Sequence, residues 1–275
     1  MASTTTSRSP SATSSPAAAC TDTTVPGLFD GRRVWVYLPP GYHESTRRYP
    51  LLVMLDGQNV FDAATSFVGE WEMDETCEQL IANEEIEPLI VVAVDNGGIA
   101  RIDEYTPFED VGGRGGGGGV VHLQAIVDTL VPWARANYRT IPGPENTGFG
   151  GSSLGGLMAA YAAFAHGDTF GRIAALSPSV GWADHALIDF VEAETRASDS
   201  RAWIDMGTNE WGSFQDEDGN GVTDAIDDLR LLRDAMVSVG YALGVDLISF
   251  EDEGAVHNEG AWSQRLPDIL RFLFP

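Results

Sequence analysis

Short apolar runs alternate along this chain with segments of helical spacing, from about residue 32 to the end. Residues 32–42 (RRVWVYLPPGY) alternate apolar and polar positions and stop at Pro-Pro-Gly, the pattern of a strand and its turn. Residues 49–57 (YPLLVMLDG) and 88–97 (PLIVVAVDNG) are continuous apolar runs, as strands buried on both faces should be. Further strands are expected at 171–179, 201–210 and 245–254. Helical spacing covers 70–82, 120–138, 183–197, 227–240 and 263–274. Strands alternating with helices predict an α/β domain, with a mostly parallel sheet and helices on both faces. In such sheets chemistry gathers at the carboxyl ends of the strands.

Residues 146–166 (NTGFGGSSLGGLMAAYAAFAH) place two serines between two glycine pairs. A nucleophile elbow, where a strand turns sharply into a helix, needs Gly-x-Ser-x-Gly. Only Gly151, Ser153 and Gly155 fit; centring on Ser152 fails at Leu154. Tight chain closure on both sides of a strained serine favours glycine two before and two after it. Residues 156–165 then read as a small-residue helix. The upstream stretch is a poor strand by propensity, so a strand there rests on the motif alone. The competing reading is a glycine-rich helix start with an incidental serine.

A serine hydroxyl needs a base, usually a histidine oriented by a carboxylate. On an elbow scaffold the chain order is Ser, acid, His. His43 and His122 precede the serine, His166 reads as the cap of the elbow helix, and His185 starts a helix. His257 follows the last expected strand, where the base belongs. Glu210, in the loop leaving the strand at 201–206, is the expected acid; Asp205 lies within that strand. The oxyanion needs two backbone N–H groups. Leu154 supplies one; Gln58, after the strand that ends in LDGQN, supplies the other, with Gly57 allowing the turn.

These residues resemble the "putative esterase" family of α/β-hydrolases, which includes feruloyl and acetylxylan esterases, enterochelin-type esterases and S-formylglutathione hydrolases. The matching stretches are VYLPPGY, LDGQNVFD, RIDEYTP, the glycine run before IVDTLVPWARANYRT, GSSLGGL, FGRIAALSPSVGW, GTNE and HNEGAW, spread over about residues 33–274. The resemblance implies the α/β-hydrolase fold without a large lid, Ser153 as nucleophile, His257 as base and Glu210 as acid. Many members carry Asp where this chain has Glu210. The implied activity is a serine carboxylesterase working through an acyl-enzyme, with no cofactor for the chemistry. The alternatives are an acyltransferase of the same fold and a non-catalytic, calcium-stabilised carbohydrate-binding protein. The expected substrate is a small-molecule or polysaccharide-linked ester.

Charge changes the picture next. Sixteen basic residues, all Arg, stand against 41 acidic ones, for a net charge of −25. Such a surface repels nucleic acid and anionic membranes. Salt screens its self-repulsion, so a halophilic or salt-tolerant protein is expected. No apolar run is long enough to span a bilayer. Residues 1–24 are read as a disordered Ser/Thr/Ala/Pro-rich arm and 25–275 as one catalytic domain. The arm has no apolar h-region, and the compartment stays open, with secreted or periplasmic ahead of cytoplasmic. Cys20 and Cys77 could form one bridge or remain free thiols.

Residues 216–227 (DEDGNGVTDAID) fit a calcium loop. Asp216, Asp218, Asn220, the Val222 carbonyl, Asp224 and Asp227 offer oxygens at its ligand positions, and Gly221 allows the sharp turn. Asp at the last position, rather than Glu, shortens the reach. The expected ion is structural, and the alternative is a solvated acidic turn. The glycine run at 112–119 lacks the Gly-Lys-Ser/Thr ending of a phosphate loop and is read as a mobile loop near the site mouth. Trp71, Trp182 and Trp211 are candidates for pocket walls or for core.

Overall fold

The structure is a computed structural model, and it describes residues 19–66, 69–197, 199–210 and 216–275. Eight strands form one sheet in the order β1-β2-β4-β3-β7-β8-β9-β10. They are β1 (Ala19–Thr24), β2 (Arg33–Leu38), β3 (Leu51–Met54), β4 (Ile90–Val94), β7 (Thr147–Ser152), β8 (Arg172–Leu176), β9 (Arg201–Gly207) and β10 (Leu247–Asp252). A separate two-residue ladder joins β5 (Glu109–Asp110) to β6 (Gly115–Gly116). From β4 to β10 all neighbours in the large sheet are parallel; β1 and β2 run antiparallel at one edge. The helices are α1 (Met73–Ala82), α2 (Arg101–Tyr105), α3 (Gly119–Ala125), α4 (Val131–Asn137), α5 (Leu154–Ala165), α6 (Ala186–Ala193), α7 (Asp224–Ser238) and α8 (Glu259–Leu273). This is the α/β-hydrolase fold that the motifs imply.

Period-two alternation on the central strands divides the core between the two faces. Leu51, Val53, Ile90, Val92 and Val94 point to the side covered by α3, α5 and α7. Leu52, Met54, Val91 and Ala93 point to the side covered by α1 and α8. β3 and β4 are buried at every residue, which explains their unbroken apolar runs. β7 (TGFGGS) is buried throughout between β3 and β8, so tertiary pairing overrides its poor propensity.

Four features refine the sequence reading. The expected arm reached residue 24, but Ala19–Thr24 pairs with β2, a Thr-rich strand added at the sheet edge; residues 1–18 lie outside the described residues. The helix expected at 120–138 runs without interruption from 119 to 137, with one widened π-turn at Ile126–Leu130 between α3 and α4. Pro132 follows and has no N–H for the Asp128 carbonyl, so the regular ladder cannot run through. The glycine run, expected to be a mobile loop, carries two contacts at Arg114. Arg114 turns back onto Asp110 at 3.0 and 3.1 Å and stacks over Trp182 at 4.5 Å. Cys20 and Cys77 are free thiols, one exposed on β1 and the other on the buried face of α1.

Candidate active site

β7 ends in the elbow. Ser153 has φ 59° and ψ −121°, a conformation rare for a residue with a side chain. Its backbone is pinned on both sides: its N–H donates to the Leu176 carbonyl at 3.0 Å, and its carbonyl accepts from Ser179 at 3.1 Å. A Cβ on Gly151 would stand 3.0 Å from the Gly155 backbone, so the turn requires glycine there. A Cβ on Gly155 would meet only ordinary contacts, the nearest at 3.6 Å, so the space around it does not itself demand glycine. Leu154 opens α5, and its amide is one of those at a helix start that lack an intrahelical acceptor.

Gln58 sits in a 3₁₀ turn, Gly57–Asn59, beyond the end of β3. The left-handed residue of this turn is Asp56, at φ 55°, rather than Gly57. Gly57 is needed for a different reason: a Cβ there would lie 2.8–2.9 Å from the backbone of Ala93 and Val94. Asp56 is held by Arg101 through two contacts of 2.8 Å, by Asn96 at 2.6 Å, and through its own N–H by the Tyr105 hydroxyl at 3.0 Å. This polar knot fixes the loop that carries Gln58.

The acid and the base come from the loops after β9 and β10. His257 Nδ1 hydrogen-bonds Glu210 Oε2. The other oxygen, Oε1, accepts from the Ser177 hydroxyl at 2.6 Å and the Gly207 N–H at 2.8 Å. Burial acts to raise the Glu210 pKa. Hydrogen bonds from His257 and Ser177, the His257 charge and the Gly207 N–H outweigh it and bring the pKa below the usual carboxylate value. Asp205, the neighbouring candidate, faces Arg265 at 2.7 Å instead. Burial pushes the Asp205 pKa up to about 6.

These parts face one cavity of about 830 Å³. Ser153, Gln58, Glu210 and His257 line it, joined by Arg101, Glu259 and Trp262, and by Ala225 and Asp228 of α7. The volume falls within the range of small-molecule sites. His185 is paired with Asp228 at 2.6 Å, and His122 is buried with Nε2 unpartnered, its pKa lowered by desolvation to about 4. His43 packs edge-on against Tyr42, and His166 caps α5, as its position suggested. None of these four histidines lines the cavity.

Among the cavity residues that escaped the sequence reading are Arg101, Glu259 and Trp262. Glu259 opens α8 next to the base, accepts from Asn59 at 2.9 Å, and has its pKa raised by burial and by the Asp56 charge. The N-cap of α8 was its available signal. Asn258 accepts from the Ala261 N–H at 2.9 Å, so the helix starts at 259 rather than 263. Of the two readings left open for them, Trp71 and Trp182 are core: Trp71 packs on Trp262, and Trp182 donates to the Phe108 carbonyl at 2.8 Å. Trp211 lies outside the described residues.

In the acidic loop, Asp216 accepts from the N–H groups of Asn220 and Gly221, both at 3.0 Å. The Asn220 amide donates to Asp218 at 3.0 Å and to Asp227 at 2.9 Å. Asp224 accepts from the Glu217 N–H at 3.1 Å and begins α7. The Val222 N–H donates to the Asn220 side-chain oxygen at 2.7 Å. The acidic group with ligand atoms all within 4.8 Å of one another is elsewhere among the described residues, at Glu70, Asp74 and Glu75. The loop carboxylates surround the Asn220 amide and stand further apart. No helix among the described residues is long and apolar enough to cross a membrane.

A sequence profile of the family described as "Putative esterase" matches residues 28–273. The chain is 23% identical over 252 residues to the uncharacterized protein YbbA of Bacillus subtilis, covering 88% of this chain and 92% of that one. Among solved structures it resembles a feruloyl esterase module from Clostridium thermocellum, an S954A mutant complexed with sinapinate. That match has a TM-score of 0.66 at 17% identity, covering 93% of this chain and 88% of the other. An IroE-like serine hydrolase from Shewanella oneidensis superposes with a TM-score of 0.67 at 20% identity, covering 94% and 80%.

Proposed function

The chain belongs to the putative esterase family and is a carboxylic ester hydrolase, and from that premise we propose that it is a serine carboxylesterase using Ser153, His257 and Glu210. The observation that carries the proposal is the contact between His257 Nδ1 and Glu210 Oε2, in the wall of the same cavity as the strained Ser153. A carboxylate on Nδ1 leaves Nε2 of the imidazole as the available base.

Substrate enters the cavity with its carbonyl carbon against Ser153 Oγ. As the C–O bond forms, His257 Nε2 takes the hydroxyl proton, and Glu210 stabilises the resulting imidazolium. The amides of Leu154 and Gln58 receive the negative charge that develops on the carbonyl oxygen. Collapse of this intermediate breaks the bond to the alcohol, which leaves with the proton from His257. Water then attacks the acyl-enzyme with His257 again as base, releasing the acid and restoring Ser153. The substrate is a small-molecule or polysaccharide-linked ester. The test is hydrolysis of p-nitrophenyl acetate, butyrate and octanoate by wild type and Ser153→Ala, with intact mass spectra to catch the acyl-enzyme. Activity lost in the variant supports the reading; a variant as active as wild type ends it.

Two further properties belong to the same proposal. The loop at 216–227 would hold a structural Ca²⁺ through Asp216, Asp218, Asn220, the Val222 carbonyl, Asp224 and Asp227. What favours it is an all-oxygen donor set of the right chemistry, spaced along one loop where α7 begins. The ion would brace the start of a helix that lines the cavity. The net charge of −25 supports a salt-tolerant protein, since salt screens the mutual repulsion of its surface carboxylates.

A further inference from the structure

Ser177 follows β8 and is 1% exposed, with φ 40°. Its hydroxyl meets three groups. Trp262 Nε1 donates to it at 2.9 Å, Arg265 Nη2 donates at 3.3 Å, and Glu210 Oε1 lies 2.6 Å away. A hydroxyl has one proton and two lone pairs. Indole and guanidinium nitrogens can only donate, so both lone pairs are taken and the proton must go to Glu210. Glu210 Oε1 also accepts from the Gly207 N–H. With two protons donated to it, Oε1 is held as a pure acceptor, and Oε2 is left to face His257 Nδ1. Nδ1 then carries the imidazole proton, and Nε2 keeps its lone pair.

The groups behind Ser177 are themselves fixed. Arg265, buried in α8, pairs with the fully buried Asp205 at 2.7 Å. Asp205 also accepts from Trp203 Nε1 at 2.8 Å and from the Ser177 N–H at 3.1 Å. Trp262 stands edge-on to the His257 ring, with centroids 5.1 Å apart. A single hydrogen-bonded block therefore links β8, β9 and α8 to the acid.

We propose that Ser177 is a positioning residue for catalysis: polarised by Trp262 and Arg265, its hydroxyl sets which oxygen of Glu210 faces His257, and with it the tautomer of the base. This rests on the serine-esterase reading above. The lowered Glu210 pKa agrees with this role of Ser177.

The experiment compares wild type, Ser177→Ala, Ser177→Gly, Glu210→Gln and the double variant Ser177→Ala/Glu210→Gln on p-nitrophenyl butyrate across the pH range. Ser177→Gly removes the hydroxyl while relieving the left-handed backbone, so it covers the case in which the alanine variant folds poorly. Both single Ser177 variants should lose roughly 10- to 100-fold in kcat, by analogy with partners behind metal-bound histidines. KM should change little. The acid limb of kcat/KM should move to higher pH, because Glu210 loses a donor that favours its ionised form. In the Glu210→Gln background, removing Ser177 should cost nothing further. Wild-type kcat in both single variants, or the same loss with and without Glu210, overturns the role of Ser177. The esterase reading is tested separately, by labelling of wild-type Ser153 with a fluorophosphonate. If wild type is neither labelled nor active, that reading falls, and the inference with it.

Discussion

Replacing Glu210 by Gln changes one oxygen for an NH₂ group and leaves the shape nearly the same. The surroundings dictate how the amide must lie. The Gly207 N–H and the Ser177 hydroxyl both donate to the position of Oε1, so the amide oxygen is held there. The NH₂ group then faces His257 Nδ1 and donates to it. Nδ1 becomes an acceptor, the ring proton moves to Nε2, and the atom that should take the Ser153 proton already carries one. The analogous Asp-to-Asn change in a Ser-His-Asp triad lowers kcat by about 10⁴, or about 5.4 kcal/mol at about 1.36 kcal/mol per decade. The same size is expected here, with KM little altered, because the substituted side chain sits behind the base. Stopped-flow and steady-state hydrolysis of p-nitrophenyl butyrate measures it. Stability follows the sign of the Glu210 shift. Its pKa is lowered in the fold, so its contribution is present above the unfolded carboxyl pKa and lost as pH falls through the folded value. Glu210→Gln should therefore lower Tm at neutral pH and leave it unchanged in strong acid. If the variant keeps more than about a tenth of wild-type kcat, the tautomer argument is refuted.

Other consequences are as direct. Asp74 has its pKa raised to about 7 by burial and by the nearby Glu75, with one oxygen buried and unpartnered. A raised carboxyl pKa means the fold binds the proton more tightly, so this group costs stability as pH rises from about 4 through 7. Asp74→Asn should stabilise the protein at pH 8 by about 1–2 kcal/mol after solvent screening, and by nothing at pH 3.5; a variant less stable at pH 8 contradicts this. Calcium should raise Tm in dilute buffer and EDTA should lower it, with Asp218→Asn abolishing the difference; equal Tm values in both rule out a bound ion. Raising NaCl from dilute buffer to 2 M should raise Tm, and a fall instead removes the case for salt adaptation.

Much of this molecule could be read before any coordinates. β3 and β4 announce themselves because every residue is buried, and Ser153 because the strained turn admits few neighbours. His257 and Glu210 followed from chain order on such a scaffold, not from their local sequence. Side chains that act through distant partners were not legible. Ser177 is one serine among many until Glu210, Trp262 and Arg265 converge on it from other elements. Arg101 looks like a solvated charge until Asp56, 45 residues earlier, is seen in its fork. Local spacing likewise cannot show that Trp71 turns into the core while Trp262 reaches the cavity. The edge strand β1 was hidden because its residues bury little, and the π-turn because helical periodicity averages over one widened turn.

The cavity wall draws on several elements. The groups assigned to chemistry stand on loops at the ends of sheet strands, whereas Ala225 and Asp228 belong to α7, which enters from the acidic loop. The groups proposed for bond breaking and those placed to shape substrate fit thereby stand on different elements of one packed chain. Selection, or an engineer, can reshape the α7 side to admit a different alcohol or acid while the elbow and its relay stay in register. On a scaffold built this way, new specificities are reached by short steps, each passing through an enzyme that still works.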